Sequence, residues 1–225
     1  GDHLLSVIEG TLDIARIEGG KLALDVKALD FRDFMQQIVG MFELQAHNKG
    51  LEFRYQPKGE IPAFVRADEK RVRQILINLL GNALKFTPRG HICLRLAYRM
   101  EMATFEVEDS GPGISPEEQE RIFDPFSRGS SAHGAGGAGL GLTISRMFAD
   151  VMGGELSLDS RPGEGCRFRV RLFLPQVQGA AARAGLPRSR PVGYQGVRRR
   201  VLIVDNERVD REFLFALLEP LGFVL

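Results

Sequence analysis

Cysteine is scarce: Cys93 and Cys166 are the two in 225 residues. They are too few and too isolated for a disulfide framework or a zinc site, and they suit a reducing cytoplasm. Net charge is also nearly absent, at +1, so no global field draws the chain to nucleic acid or to an anionic membrane. No apolar run approaches the ~20 residues that a membrane helix needs, and no signal peptide opens the sequence. No Gly-Lys-Ser/Thr is present, which excludes a P-loop. What remains is ordinary for a soluble globular protein: 44% apolar and 26% charged residues, enough for one sizeable domain with appendages. The first residues already read as the middle of a helix, as in a piece of something longer.

Periodicity gives the order of elements. Residues 3 to 18 read as a helix whose Leu5, Ile8, Leu12 and Ala15 form a coiled-coil seam. A short strand is expected over 21–29. Asp30 is placed to cap a helix running to about Asn48, which Lys49-Gly50 ends. LEFRYQ and AFVRAD read as strands, Asp68 caps a second long helix, and HICLRLAYRM with ATFEVED form a strand pair. A Gly- and Ser-rich loop is expected from about 110 to 138, then a helix over 139–152. A hairpin around Arg161-Pro162-Gly163 closes the pattern. Helices with mostly antiparallel strands imply an α+β two-layer sandwich on a mixed sheet.

The helix after Asp68 contains a puzzle. Val72, Ile75, Leu76, Leu79 and Ala83 make its apolar face, while Arg71, Gln74, Asn78, Asn82 and Lys85 line the opposite face. Solvation alone accounts for a polar stripe, but not for two Asn and Gly81 where Glu, Lys or Ala makes a better helix. An Asn carbonyl oxygen can bind a hard cation and its amide can donate a hydrogen bond. Lys85 adds a point charge for phosphate. The set suits a magnesium-bound polyphosphate lying along the helix.

The stretch from Asn78 to Phe86, N-L-L-x-N-A-x-K-F, resembles the N box of histidine kinases, members of the GHKL ATPase superfamily. The resemblance implies Mg2+ on Asn82 with Asn78 beside it, Lys85 near the phosphates and Phe86 by the adenine of ATP. Asp109 to Ile114, DSGPGI, resembles the G1 box: Asp109 would accept from the adenine amino group. Gly111 and Gly113 would allow close approach, and Pro112 and Ile114 would shape the pocket. Phe123 to Phe126, FDPF, resembles the F box, and Arg128 follows where the family's lid often carries a basic residue. Gly136 to Leu142, GGAGLGL, resembles the G2 box, so Gly137, Gly139, Leu140, Gly141 and Leu142 are expected at the phosphates, at a helix N-terminus. A competing G-x-G-x-x-G over 134–139 lacks the apolar strand that a dinucleotide site requires. Each box is weak or moderate alone; four in this order are strong.

Other features set boundaries. None of His3, His47, His91 and His133 is followed by an acidic residue as in the family's H box, so the phosphate acceptor is expected outside this chain. Residues 176–199 read as a flexible linker rich in Gly, Ala, Pro and Arg. Residues 200–225 resemble the start of a receiver domain of a hybrid kinase, with Asp205-Asn206 and Glu207 where that family has an acidic pair. The implied organisation is the end of a dimerisation region (1–20), an ATP-binding catalytic domain (21–175), the linker, and the receiver fragment. The function implied is transfer of the γ-phosphoryl of Mg-ATP to a His on a dimerisation helix, within a homodimeric parent that is cytoplasmic or held at the inner membrane. Its partners would be ATP/ADP, that helix and the receiver domain. A degenerate kinase serving as a nucleotide-binding scaffold is the alternative. A clamp ATPase fits less well, because its Glu base would stand at Asn78.

Overall fold

The computed structural model describes residues 2–20, 22–127, 139–177 and 200–201. The chain divides into two units, residues 1–185 and 186–225, and the architecture that follows is that of the first. Nearly all of the receiver-like segment, with Asp205, Asn206 and Glu207, lies outside the described residues.

The first unit runs α1 (Asp2–Glu18), β1 (Lys27–Asp30), α2 (Phe31–Asn48), β2 (Glu52–Lys58), β3 (Phe64–Ala67), α3 (Glu69–Phe86), β4 (His91–Arg99), β5 (Met102–Asp109), α4 (Pro116–Gln119), α5 (Gly141–Val151), β6 (Glu155–Arg161) and β7 (Gly165–Phe173). The main sheet has the order β2-β4-β5-β7-β6. Its β2–β4 pair is parallel, and the chain crosses over between these two strands through α3. The remaining pairs are antiparallel. β1 and β3 form a separate antiparallel pair. Helices lie on one face of a mixed sheet, as expected for the α+β sandwich.

The helix ends follow from local chemistry. Asp30 caps α2 by accepting from the Asp33 N–H at 3.0 Å. Asp68, only 6% exposed, caps α3 by accepting from the Arg71 N–H, and its other oxygen accepts from the Asp25 N–H at 3.0 Å. At the other end Pro88 disfavours helix at Thr87, which is extended at φ −94 and ψ 106. Lys49 donates to the Leu84 carbonyl there, and to that of Lys85 at 3.3 Å, complementing the negative end of the helix dipole.

Strand alternation divides the sheet into two unlike faces. Ala103, Phe105 and Val107 of β5 are fully buried against the helices, together with Val72, Ile75, Leu76 and Leu79 of α3. The Phe31 and Phe105 rings meet edge to face at 6.1 Å. The opposite face carries cross-strand ion pairs: Arg95 with Glu106 and Glu108, Arg167 with Glu108, and Arg169 with Glu106.

Three boundaries differ from the sequence reading. The strand expected over 21–29 forms only over Lys27–Asp30; Leu22 and Leu24 alternate because they pack on the core, not because they pair. The long loop contains α4, with Ser115 as N-cap and Pro116 in its first turn. Gln176 and Val177, assigned to the linker, still pair with β3: Gln176 bridges Val65 and the Val177 N–H donates to the Phe64 carbonyl at 3.0 Å.

Candidate functional site

A cleft of about 820 Å³ opens between α3, the end of β5 and the start of α5, with α1 along one side. The polar stripe of α3 forms one wall: Arg71, Gln74, Asn78, Asn82, Lys85 and Phe86 all line it. The Lys85 ammonium lies over the Phe86 ring, 4.8 Å from its centre, so the N box presents a cation and an aromatic ring together. The three weak helix formers thus fall on or beside the wall of a cavity.

Asp109 forms the inner end. The alternation that buries Ala103, Phe105 and Val107 also turns Asp109 toward the helices, where it is 5% exposed. Its Oδ1 accepts from the Gly111 N–H at 2.8 Å, an Asx turn. Burial pushes the carboxyl upward from its usual range, while donors at Gly111, Cys166 and Thr87 pull it back. A buried carboxylate of this kind gains from one more N–H donor, such as an exocyclic amine. The Thr87 hydroxyl is buried beside it and, although it lowers the carboxyl, makes no well-aligned hydrogen bond. Ile114, Ile122 and Phe168 supply apolar surface, and Cys166 joins them as a neutral thiol that burial pushes up to about 11.

The glycines serve protein contacts as much as open space. Gly113 has φ 71, and a Cβ there would lie 2.0 Å from the Arg161 carbonyl oxygen; the G1 turn is thereby seated on the β6–β7 hairpin. Gly139 has φ 70 and a Cβ there would lie 2.8 Å from the Ser127 carbonyl oxygen. Its own carbonyl accepts from the Phe126 N–H at 3.0 Å, tying the F box to the G2 box. Gly141 abuts the Asn78 side chain, whose Nδ2 donates to Ser145 Oγ at 2.9 Å.

α1 supplies the remaining wall through Gly10, Leu12, Asp13 and Arg16. Gly10 is buried against Leu140 and Ile144, and Asp13 pairs with Arg71 at 3.4 Å, the two side chains 13% and 11% exposed. The Arg71 guanidinium also lies 4.4 Å from the centre of the Phe148 ring. Ile8 and Leu12 of the sequence-derived seam are 47% and 51% exposed.

Of the residues singled out in the sequence, the cleft gathers Asn78, Asn82, Lys85, Phe86, Asp109, Gly113, Ile114, Gly139, Leu140, Gly141 and Leu142. Gly111 stands just behind Asp109. Phe123 lies beside Arg146 at 5.1 Å and Phe126 is 62% exposed; neither lines the cleft, whereas Ile122 does. Arg128 and Gly137 lie outside the described residues. Sequence reasoning missed Thr87, Ile122, Ser145, Cys166 and Phe168. Among these, only the Phe168 alternation and the Thr-Pro helix stop left a local signal.

Fold and cleft together define an ATP-binding domain: residues 67–176 match the family model described as histidine kinase-, DNA gyrase B-, and HSP90-like ATPase. Within that class the chain is similar to sensor histidine kinases. The aerobic respiration control sensor protein ArcB of Escherichia coli (strain K12) is 38% identical over 176 residues, covering 76% of this chain and 23% of ArcB. The sensor histidine kinase GacS of Pseudomonas protegens is 36% identical over 228 residues, covering 98% of this chain and 24% of GacS. Full-length ShkA, solved in complex with AMPPNP, superposes with a TM-score of 0.70 at 30% identity, over 100% of this chain and 45% of that one. The nucleotide-free catalytic domain of histidine kinase ThkA gives a TM-score of 0.58 at 28% identity, over 67% of this chain and 96% of that domain. The chain spans about a quarter of the curated relatives it matches.

Proposed function

We propose that this chain is the catalytic region of a hybrid sensor histidine kinase, which binds Mg-ATP and passes the γ-phosphoryl to a histidine on a dimerisation helix outside residues 1–225. The observation that carries this is the α3 stripe facing a cleft closed by Asp109. Asp109 accepts from the adenine amino group, while Ile114, Ile122 and Phe168 cover the base. Asn82 and Lys85, farther along the same helix, face the phosphates. Among the described residues no group of three or more His, Cys, Asp or Glu could hold a metal. The Asn82 amide oxygen and the nucleotide's own phosphates are hard oxygen donors, which suits Mg2+. Asn82 would hold the ion, with Asn78 beside it; when bound, it offsets the negative charge on the phosphate oxygens.

The transfer needs little covalent chemistry from the protein. The bond between the γ-phosphorus and the bridging oxygen breaks as one forms to the histidine nitrogen, and ADP leaves. Positioning and charge stabilisation carry the rate. Asn78 has no carboxylate to activate water, which disfavours a hydrolytic clamp. In this reading α1 is the second helix of the dimerisation hairpin and the parent is a homodimer. Residues 200–225 begin a receiver that takes the phosphoryl group onward.

The test is incubation with γ-labelled ATP, with and without a separately prepared His-bearing dimerisation hairpin. Acid-labile, base-stable label on the hairpin is the expected result. ATP binding without any transfer would favour the scaffold reading and overturn this one.

A further inference from the structure

We propose that Thr87 is a positioning residue for base recognition: its hydroxyl holds the Asp109 carboxylate in place for a 6-aminopurine, and thereby sets the preference for that base. The inference rests on the nucleotide reading above and goes beyond the four motif boxes, none of which gives this residue a role.

Thr87 is the first residue after α3. Pro88 holds it extended, and its N–H closes the helix on the Ala83 carbonyl at 3.1 Å. The side chain therefore leaves the helix axis at the inner end of the cleft rather than along the α3 wall. The residue is 0% exposed, and its Oγ1 makes no well-aligned hydrogen bond, although the hydroxyl is near enough to lower the Asp109 carboxyl. A Cβ built on Gly111 would come within 3.4 Å of that oxygen and 2.7 Å of Asp109 Oδ1. Hydroxyl and carboxylate thus share the same small space behind the G1 turn.

A buried hydroxyl without a well-aligned hydrogen bond is uncommon, and here the acceptor beside it is Asp109. The hydroxyl proton rotates freely and can serve a neighbouring carboxylate. Oδ1 of Asp109 already takes the Gly111 N–H. A further donor behind the carboxylate restrains its rotation and favours the ionised form, which accepts from an amine. A base with hydrogen at C6 has no amine to offer, so it draws nothing from this arrangement. Thr87 should therefore affect the difference between two bases, not binding in general.

The experiment compares ATP with purine riboside triphosphate, which lacks the 6-amino group, by calorimetric titration. Wild type should prefer ATP. Thr87→Val should lower that preference roughly tenfold, the loss of one hydrogen bond to a charged group, with purine riboside triphosphate binding unchanged. Thr87→Ser, which keeps the hydroxyl, should retain the wild-type ratio. Thr87→Ala gives the same comparison should the valine variant not fold. Equal weakening of both nucleotides, or an unchanged ratio in the valine or alanine variant, overturns the role of Thr87. Loss of the ratio in the serine variant overturns it as well. Failure of wild type to bind ATP at all sinks the nucleotide reading itself, so the two failures are distinguishable.

Discussion

Asn78 and Ser145 are joined across α3 and α5: the Asn78 amide nitrogen donates to the Ser145 hydroxyl oxygen at 2.9 Å, and Ser145 is 1% exposed. The bond fixes which way the amide faces. Its nitrogen points into the helix interface, and its oxygen lies against the first residue of α5. The N box and the G2 box are therefore one mechanical unit, coupled by a side chain of the former and a helix of the latter. Any ligand contact made by Asn78 is felt at the start of α5.

Ser145→Ala should leave the Asn78 amide without its acceptor. A stability loss of about 1 kcal/mol is expected in urea unfolding, the usual worth of such a bond, together with a several-fold weaker affinity for ATP. Ser145→Thr, which keeps the hydroxyl, should lose less affinity than the alanine variant. Equal losses in the two variants would show that packing, not the bond, is what matters.

Gly141→Ala tests the same joint from the other side. The added Cβ would lie 2.1 Å from Asn78 Oδ1, too close for any contact, so Asn78 or the start of α5 must shift. Overpacking of this kind costs about 1–3 kcal/mol. A lower denaturation midpoint and weaker ATP binding are expected. A variant as stable as wild type would mean that Gly141 is free of Asn78.

How legible was this in the sequence? Strands β4, β5 and β7 were plain because one face is buried and the other charged, which forces alternation. The ends of α3 were plain because Asp68 and Pro88 act locally. The α3 stripe was visible through an oddity, two Asn where better helix formers exist. The partners were not visible. Gly141 looks like a phosphate glycine until Asn78 is seen against it, and Gly113 until the Arg161 carbonyl is seen. Both contacts join residues far apart in sequence. In the F box the aromatic residues attracted attention, but the turn after α4, in which the Ile122 N–H donates to the Glu118 carbonyl at 3.0 Å, places Ile122, one position earlier, in the cleft. The wall made by α1 was hidden because Gly10, Asp13 and Arg16, which form it with Leu12, are not positions that apolar periodicity picks out. That residues 67–176 form a domain of the histidine kinase-, DNA gyrase B- and HSP90-like ATPase type was readable from the order of four motifs.

The charged face of the sheet gives a pH prediction. Hydrogen bonds from Arg95, with help from Arg167 and against the cost of burial, hold Glu108 down at about 2, from an ordinary 4.5. A depressed carboxyl contributes stability that is present above its unfolded value and is lost as pH falls through the folded one. Glu108→Gln should therefore be less stable than wild type at pH 7. The gap should narrow between roughly pH 4.5 and 2, as protonation removes the charge from wild type too. Denaturation series at several pH values would show it; a gap that stays constant across this window would contradict the ion-pair account.

The most direct test of the account is a titration of ATP, with and without magnesium, into wild type and Asn82→Ala. The cleft is read as a Mg-ATP site in which the α3 stripe meets the phosphates. ATP should bind wild type with an affinity that magnesium raises. The alanine variant should lose that gain while keeping the wild-type unfolding midpoint, since Asn82 faces the cleft rather than the core. Magnesium-dependent binding of unchanged strength in Asn82→Ala would contradict the account.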